Sequence, residues 1–125
     1  MSHSTEPDHI RRVFATFDAG DVPALAAFMA DDIRLRLGNA DTTQGKPAFV
    51  DAVTTFLGSV AKVRHEILNV WTDQEVVTVE FDVHYTRLDG DNVTLPCCNV
   101  FRIRDGLITE YRSYIDATPV YAQPG

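Results

Sequence analysis

Residues 76–115 decide the fold. They open with Val76-Val77-Thr78-Val79-Glu80-Phe81-Asp82-Val83-His84-Tyr85-Thr86, turn at Asp89-Gly90 into a run over 93–103, and turn again at Asp105-Gly106 into 107–115. Val77, Val79, Phe81, Val83 and Tyr85 share one face of the first run, and Thr78, Glu80, Asp82, His84 and Thr86 share the other. A period of two is the signature of a half-buried strand. Asp-Gly between alternating runs favours a tight hairpin, because such turns need positive φ at their centre. Period two gives the alternation and not its polarity, so which face of 78–86 points inward stays open.

Working outward, Val63, His65, Ile67, Asn69 and Trp71 alternate with Arg64, Glu66, Leu68 and Val70, and Asp73-Gln74 follows as a turn. That makes a meander of four long antiparallel strands. The first half has helical spacing instead. Thr5 is placed to cap a helix with Pro7 and Asp8 in its first turn, and Ile10, Val13, Phe14 and Phe17 line one face. Gly20 stops this helix, and Asp21 caps a second carrying Val22, Leu25, Ala26, Phe28 and Met29. Asp31-Asp32 breaks the pattern before a short strand of Ile33, Leu35 and Leu37 alternating with Arg34 and Arg36. After a loop over 38–45, Phe49, Val50, Val53, Phe56 and Leu57 restore helical spacing across 47–57. The class is α+β, with the helices gathered on one face of a sheet.

A length of 125 residues predicts a single domain over 1–125. Eleven Lys and Arg against eighteen Asp and Glu give a net charge of −7, which argues against a nucleic-acid or anionic-membrane surface, since both need clustered cations. Adjacent cysteines, Cys97 and Cys98, point to opposite faces of a strand, so the expectation is two reduced thiols and no disulfide. The N-terminal stretch has no apolar signal region and no run approaches the ~20 apolar residues of a membrane helix, so a cytoplasmic location is expected.

Several segments, in this order, resemble the SnoaL-like branch of the nuclear-transport-factor-2-like superfamily. They are Phe17-Asp18-Ala19-Gly20-Asp21, Met29-Ala30-Asp31-Asp32, Gly45 before the third helix, and Val100-Phe101-Arg102-Ile103-Arg104-Asp105-Gly106-Leu107-Ile108 followed by Tyr111-Arg112-Ser113-Tyr114-Ile115-Asp116. The likeness covers 8–117. It implies a cone: a strongly curved, mostly antiparallel sheet wrapped around three helices of the N-terminal half, with an apolar pocket at the open end and a homodimer through the sheet. The implied partners are a hydrophobic small-molecule ligand and a second copy, with no nucleic acid and no membrane.

This superfamily holds isomerases, hydrolases, cyclases and non-catalytic proteins, so each chemistry has to be tested on its residues. Aligned on Ala19-Gly20-Asp21, the tyrosine and base positions of the ketosteroid isomerases fall on Val13 and Leu37, which cannot do that work. Their oxyanion acid position falls on Asn99, which can still donate a hydrogen bond. Of the relay of the limonene-epoxide-hydrolase-like branch, only the last aspartate is matched, by Asp116. Its other positions fall on Asp82, His84, Leu35 and Leu37.

The SnoaL-like cyclases are less demanding: a late-strand acid, a polar partner, no metal and no organic cofactor. The resemblance therefore implies a cofactor-independent acid–base cyclase or isomerase acting on a hydrophobic ketone-bearing molecule. Its catalytic candidates are Asp116, His84, Asn99 and Asp82. Phe14, Phe17, Leu35, Leu37, Phe56, Trp71 and Tyr114 are the candidate substrate-binding residues. Plainer roles stand beside these. Asp116 fits a turn cap before Pro119, Asp82 and His84 fit a solvated strand face, and His65, alternating among apolar residues, fits a satisfied core or pocket histidine. If His84 does face the pocket, Val77 through Tyr85 face out and need a dimer partner to cover them. A non-catalytic module binding an apolar metabolite is the second reading, and an epoxide hydrolase with a rearranged relay a minor third.

Overall fold

In the computed structural model, which describes residues 5–122, the alternating run becomes β4 (Val76–Thr86). Val77, Val79, Phe81, Val83 and Tyr85 are all buried, so the apolar face points inward and the polarity left open by the spacing is settled. In chain order the elements are α1 (Thr5–Asp18), α2 (Val22–Ala26), β1 (Met29–Leu37), β2 (Thr43–Gln44), α3 (Lys46–Gly58), β3 (Lys62–Asp73), β4, β5 (Asn92–Arg104), β6 (Leu107–Tyr114) and α4 (Thr118–Tyr121). The strands form one curved, open sheet in the order β2-β1-β6-β5-β4-β3. Neighbours are antiparallel except β1 and β6, which run parallel.

The helices lie on the inner face. Ile10, Val13, Phe14 and Phe17 of α1 and Phe49 and Val53 of α3 are buried against Phe81, Phe101 and Tyr111 of the sheet. Burying a side chain of the size of Phe49 or Phe101 contributes roughly 1.5–3 kcal/mol each, and these residues tie helices to sheet. Gly20 ends α1 at φ +73, a conformation that glycine adopts without strain. The Asp21 carboxylate then accepts the Ala24 N–H at 3.1 Å and caps α2.

Several expected boundaries move. Thr5, the first described residue, is already helical, so where α1 is capped lies outside the described residues. α2 ends at Ala26, and Met29 through Asp32 belong to β1, whose pairing with β6 is irregular between Met29 and Arg34. The short strand β2 and the single-turn helix α4 carried no signal in the spacing.

A bulge in β3 matters most for the site. The pairing runs Ile67 with Phe81 and then Asn69 with Glu80, so Leu68 is an extra residue. A one-residue insertion exchanges the two faces of everything beyond it. Val63, His65 and Ile67 face inward as expected, but Asn69 and Trp71 face outward, and Trp71 is 55% exposed. Among the described residues no helix is long and apolar enough to cross a membrane.

Candidate functional site

Between the inner face of the sheet, the end of α1, α3 and the segment 115–121 lies a cavity of about 810 Å³. One of its walls holds a histidine packed among aromatic rings. His65 on β3 stacks on Phe14 with ring centroids 4.5 Å apart, and Phe17 and Phe81 meet its ring at 5.2 and 5.1 Å. Its Nδ1 lies 2.5 Å from Oδ1 of Asp18, whose Oδ2 accepts the His65 backbone N–H at 2.9 Å.

A carboxylate only accepts, so Nδ1 carries a proton, and in the neutral form of the ring Nε2 is then the acceptor. His65 lines the cavity, and among the described residues no hydrogen-bond partner meets its Nε2. Asp18 is reached because α1 ends there: the Gly20 turn leaves its side chain over the edge strand β3, 47 residues away in sequence.

The cavity's polar patch sits on β5 and β6. Asn99, 1% exposed, is the buried polar side chain of the core among the described residues, and it pairs in register with Ser113. The Cys97 thiol donates to Asn99 Oδ1 at 3.6 Å and lies 3.3 Å from the Ser113 hydroxyl. With Oδ1 accepting from Cys97, the amide's N–H₂ end is its donor side, and it meets the Tyr111 hydroxyl. Burial pushes the Cys97 thiol up to about 11, with the Ser113 hydrogen bond opposing. Burial also raises the hydroxyls of Tyr85 and Tyr111, the Asn99 amide partly offsetting this at Tyr111. All three groups keep their protons at neutral pH. Among the described residues no group of three or more His, Cys, Asp and Glu side chains comes together as a metal site.

The expected site residues divide. Asn99, Phe17, Leu37 and Phe56 line the cavity. Asp116 reaches it only at the mouth, exposed, with Oδ1 accepting the Thr118 N–H at 3.1 Å, so it does form the turn cap considered for it. Hydrogen bonds from Thr118 hold its carboxyl below the usual range. Phe14 and Leu35 are buried but do not line the cavity, Phe14 because it backs His65.

Four residues point away. With the apolar face of β4 inward, Asp82 and His84 lie on the outer face, where His84 bonds Glu66 at 2.8 Å and Thr94 at 2.8 Å. A catalytic role in this cavity is closed to both, and Val77, Val79, Phe81, Val83 and Tyr85, buried within the chain, need no partner to cover them. Trp71 is turned out by the bulge. Tyr114 pairs with Cys98 one residue past the inward Ser113, and is 56% exposed. Sequence reasoning left His65 as a satisfied core or pocket histidine and gave it no chemistry; the structure places it in the cavity wall. The same reasoning missed Asp18 as the histidine's partner, and also Tyr85 and Tyr111.

Among solved structures, an NTF2-like protein of unknown function from Burkholderia pseudomallei K96243 superposes with TM-score 0.82 at 18% identity, covering 90% of this chain and 91% of that one. A putative polyketide cyclase from Xanthomonas campestris pv. campestris gives TM-score 0.82 at 23% identity, over 90% and 91% of the two chains. An epoxide hydrolase of M. tuberculosis, described as LEH-like, gives 0.77 at 19%, over 91% and 84%. At these identities the likeness is one of fold. No curated protein matches the sequence. The family model described as SnoaL-like domain matches residues 10–111, and the chain belongs to that family.

Proposed function

We propose that this protein is a cofactor-independent acid–base catalyst, an isomerase or cyclase, acting on a hydrophobic carbonyl compound, with His65 as its base. The observation that carries this is the Asp18–His65 pair, which fixes by its Nδ1 a histidine that lines the cavity and leaves its Nε2 without a hydrogen-bond partner among the described residues. Nε2 takes a proton from the carbon next to the substrate carbonyl, and the C–H electron pair becomes an enolate. The Asn99 amide N–H and the Tyr111 O–H stand as donors for the developing oxyanion. The imidazolium then returns the proton to another carbon, or the enolate carbon attacks a second carbonyl of the same molecule, closing a ring as that C=O π pair becomes an alkoxide, which the imidazolium protonates. Asp18 stabilises the imidazolium formed between these steps.

Among the described residues the cavity lining contains no lysine or arginine, which disfavours carboxylate and phosphate substrates. On the outer face, exposed Trp71 and Tyr114 are the basis for proposing a second copy as partner, docked sheet to sheet. The test uses 2-tetralone, an uncharged bicyclic ketone with enolisable C–H bonds, incubated with the protein in D₂O. Wild type is expected to speed deuterium entry next to the carbonyl, and His65→Gln to lose at least about 10²-fold of that rate. Binding without exchange would favour the non-catalytic binding module instead.

A further inference from the structure

The cavity's mouth differs chemically from its floor. It is formed in part by residues 115–121, and there the Asp116 carboxylate stands without a countercharge: among the described residues it makes no ion pair. Its hydrogen bond comes from Thr118, not from a cation. Arg87 approaches the same segment, but its guanidinium is committed to the carbonyls of Pro119 at 3.1 Å and Ala122 at 2.7 Å and to Asp89 at 3.1 Å.

The walls below are aromatic. Phe17, Phe56, Phe81, Tyr85, Tyr111 and Tyr121 all line the cavity, and Tyr121 is held at the mouth by a 2.9 Å bond between its hydroxyl and the Ser59 hydroxyl. Ring faces attract cations and a carboxylate attracts them further, while the chain's net charge of −7 adds a field of the same sign.

We propose that this mouth is a subsite for a cationic amine. A ligand carrying a protonated or quaternary ammonium group places its charge between Asp116 and the Tyr121 ring, with its apolar body along the phenylalanines toward His65. This deepens the proposed function and rests on the same cavity being the ligand site. It narrows the substrate class to a hydrophobic carbonyl compound bearing a basic nitrogen, and it assigns Asp116 a recognition role rather than proton transfer.

Three naphthalene probes separate the possibilities by fluorescence anisotropy titration: 2-naphthylmethyl-trimethylammonium, its uncharged carbon isostere 2-neopentylnaphthalene, and 2-naphthylacetate. Wild type is expected to bind the ammonium probe about 5- to 20-fold tighter than the isostere, and the acetate weakest. Asp116→Asn, which keeps the acceptor for Thr118, should bring the two leading affinities within about twofold. Tyr121→Leu should weaken the ammonium probe more than the isostere.

Equal affinities in wild type, or a cation preference that survives Asp116→Asn, would overturn the subsite. Failure of all three probes to bind would remove the cavity as a ligand site altogether. A cation preference in a protein that gives no exchange with 2-tetralone would leave the subsite standing and remove the base.

Discussion

Asp18→Asn is the perturbation whose consequences can be worked furthest. Asp18 accepts two hydrogen bonds from one residue, the His65 ring at 2.5 Å and its backbone N–H at 2.9 Å. A hydrogen bond to a charged group contributes about 1.5–3 kcal/mol, and the carboxylate keeps 21% of its side-chain surface exposed, so the lower part of that range applies. Asparagine retains one acceptor, and the net loss is about 1–2 kcal/mol. For a domain of this size that lowers the melting midpoint by about 3–10 °C.

The chemical consequence is larger than the thermodynamic one. An amide N–H₂ facing Nδ1 donates where the carboxylate accepted. The ring proton is then driven to Nε2, which turns that nitrogen from acceptor to donor. Exchange of 2-tetralone should fall about 10²-fold or more while the fold persists. Circular dichroism melts give the first number, and a long-range ¹H–¹⁵N correlation spectrum reads the tautomer of His65 directly. A midpoint within about 1 °C of wild type together with an unchanged Nδ1–H tautomer would refute the idea that Asp18 holds this ring.

Three further outcomes follow from the same structure. The raised Cys97, Tyr85 and Tyr111 groups bind their protons more tightly folded than unfolded. Their contribution to stability is therefore complete below the ordinary thiol value of 9.0 and drains away as pH climbs through 9.0 and then 10.0, which denaturant titrations at pH 8, 9.5 and 10.5 will show as a falling midpoint. His84→Ala removes a histidine of the outer face and should leave exchange with 2-tetralone within about twofold of wild type, the reverse of His65→Gln. Trp71, the chain's single tryptophan, should be readily quenched by acrylamide in dilute solution and become shielded as concentration rises if copies dock through the sheet; concentration-independent quenching would count against that dimer.

The fold was legible because its signals are local. Period-two runs closed by Asp89-Gly90 and Asp105-Gly106 identified three strands and their hairpins, and Gly20 with Asp21 separated the first two helices. What the spacing lacked was anything without a local signature. Leu68 bulges β3 with no glycine to mark it, and that one residue moved Trp71 from an expected pocket wall to the outer face.

The polarity of β4 is equally invisible in an alternation, and it decided against Asp82 and His84. Tyr111 and Tyr114 differ by an odd number of positions, so only the pairing of Tyr111 with Phe101 could show which one faces the core. The candidate base was half visible. An isolated histidine among apolar residues on β3 marked His65 as a satisfied interior group, but its partner lies 47 residues earlier and meets it only through the packing of α1 on the edge strand.

The most direct test of the central claim is the initial rate of deuterium entry into 2-tetralone, measured side by side for wild type, His65→Gln and His84→Ala at equal folded concentration. The account predicts that wild type and His84→Ala exchange at similar rates and that His65→Gln falls to near the uncatalysed rate. Exchange that persists in His65→Gln, or that is lost in His84→Ala instead, would contradict it.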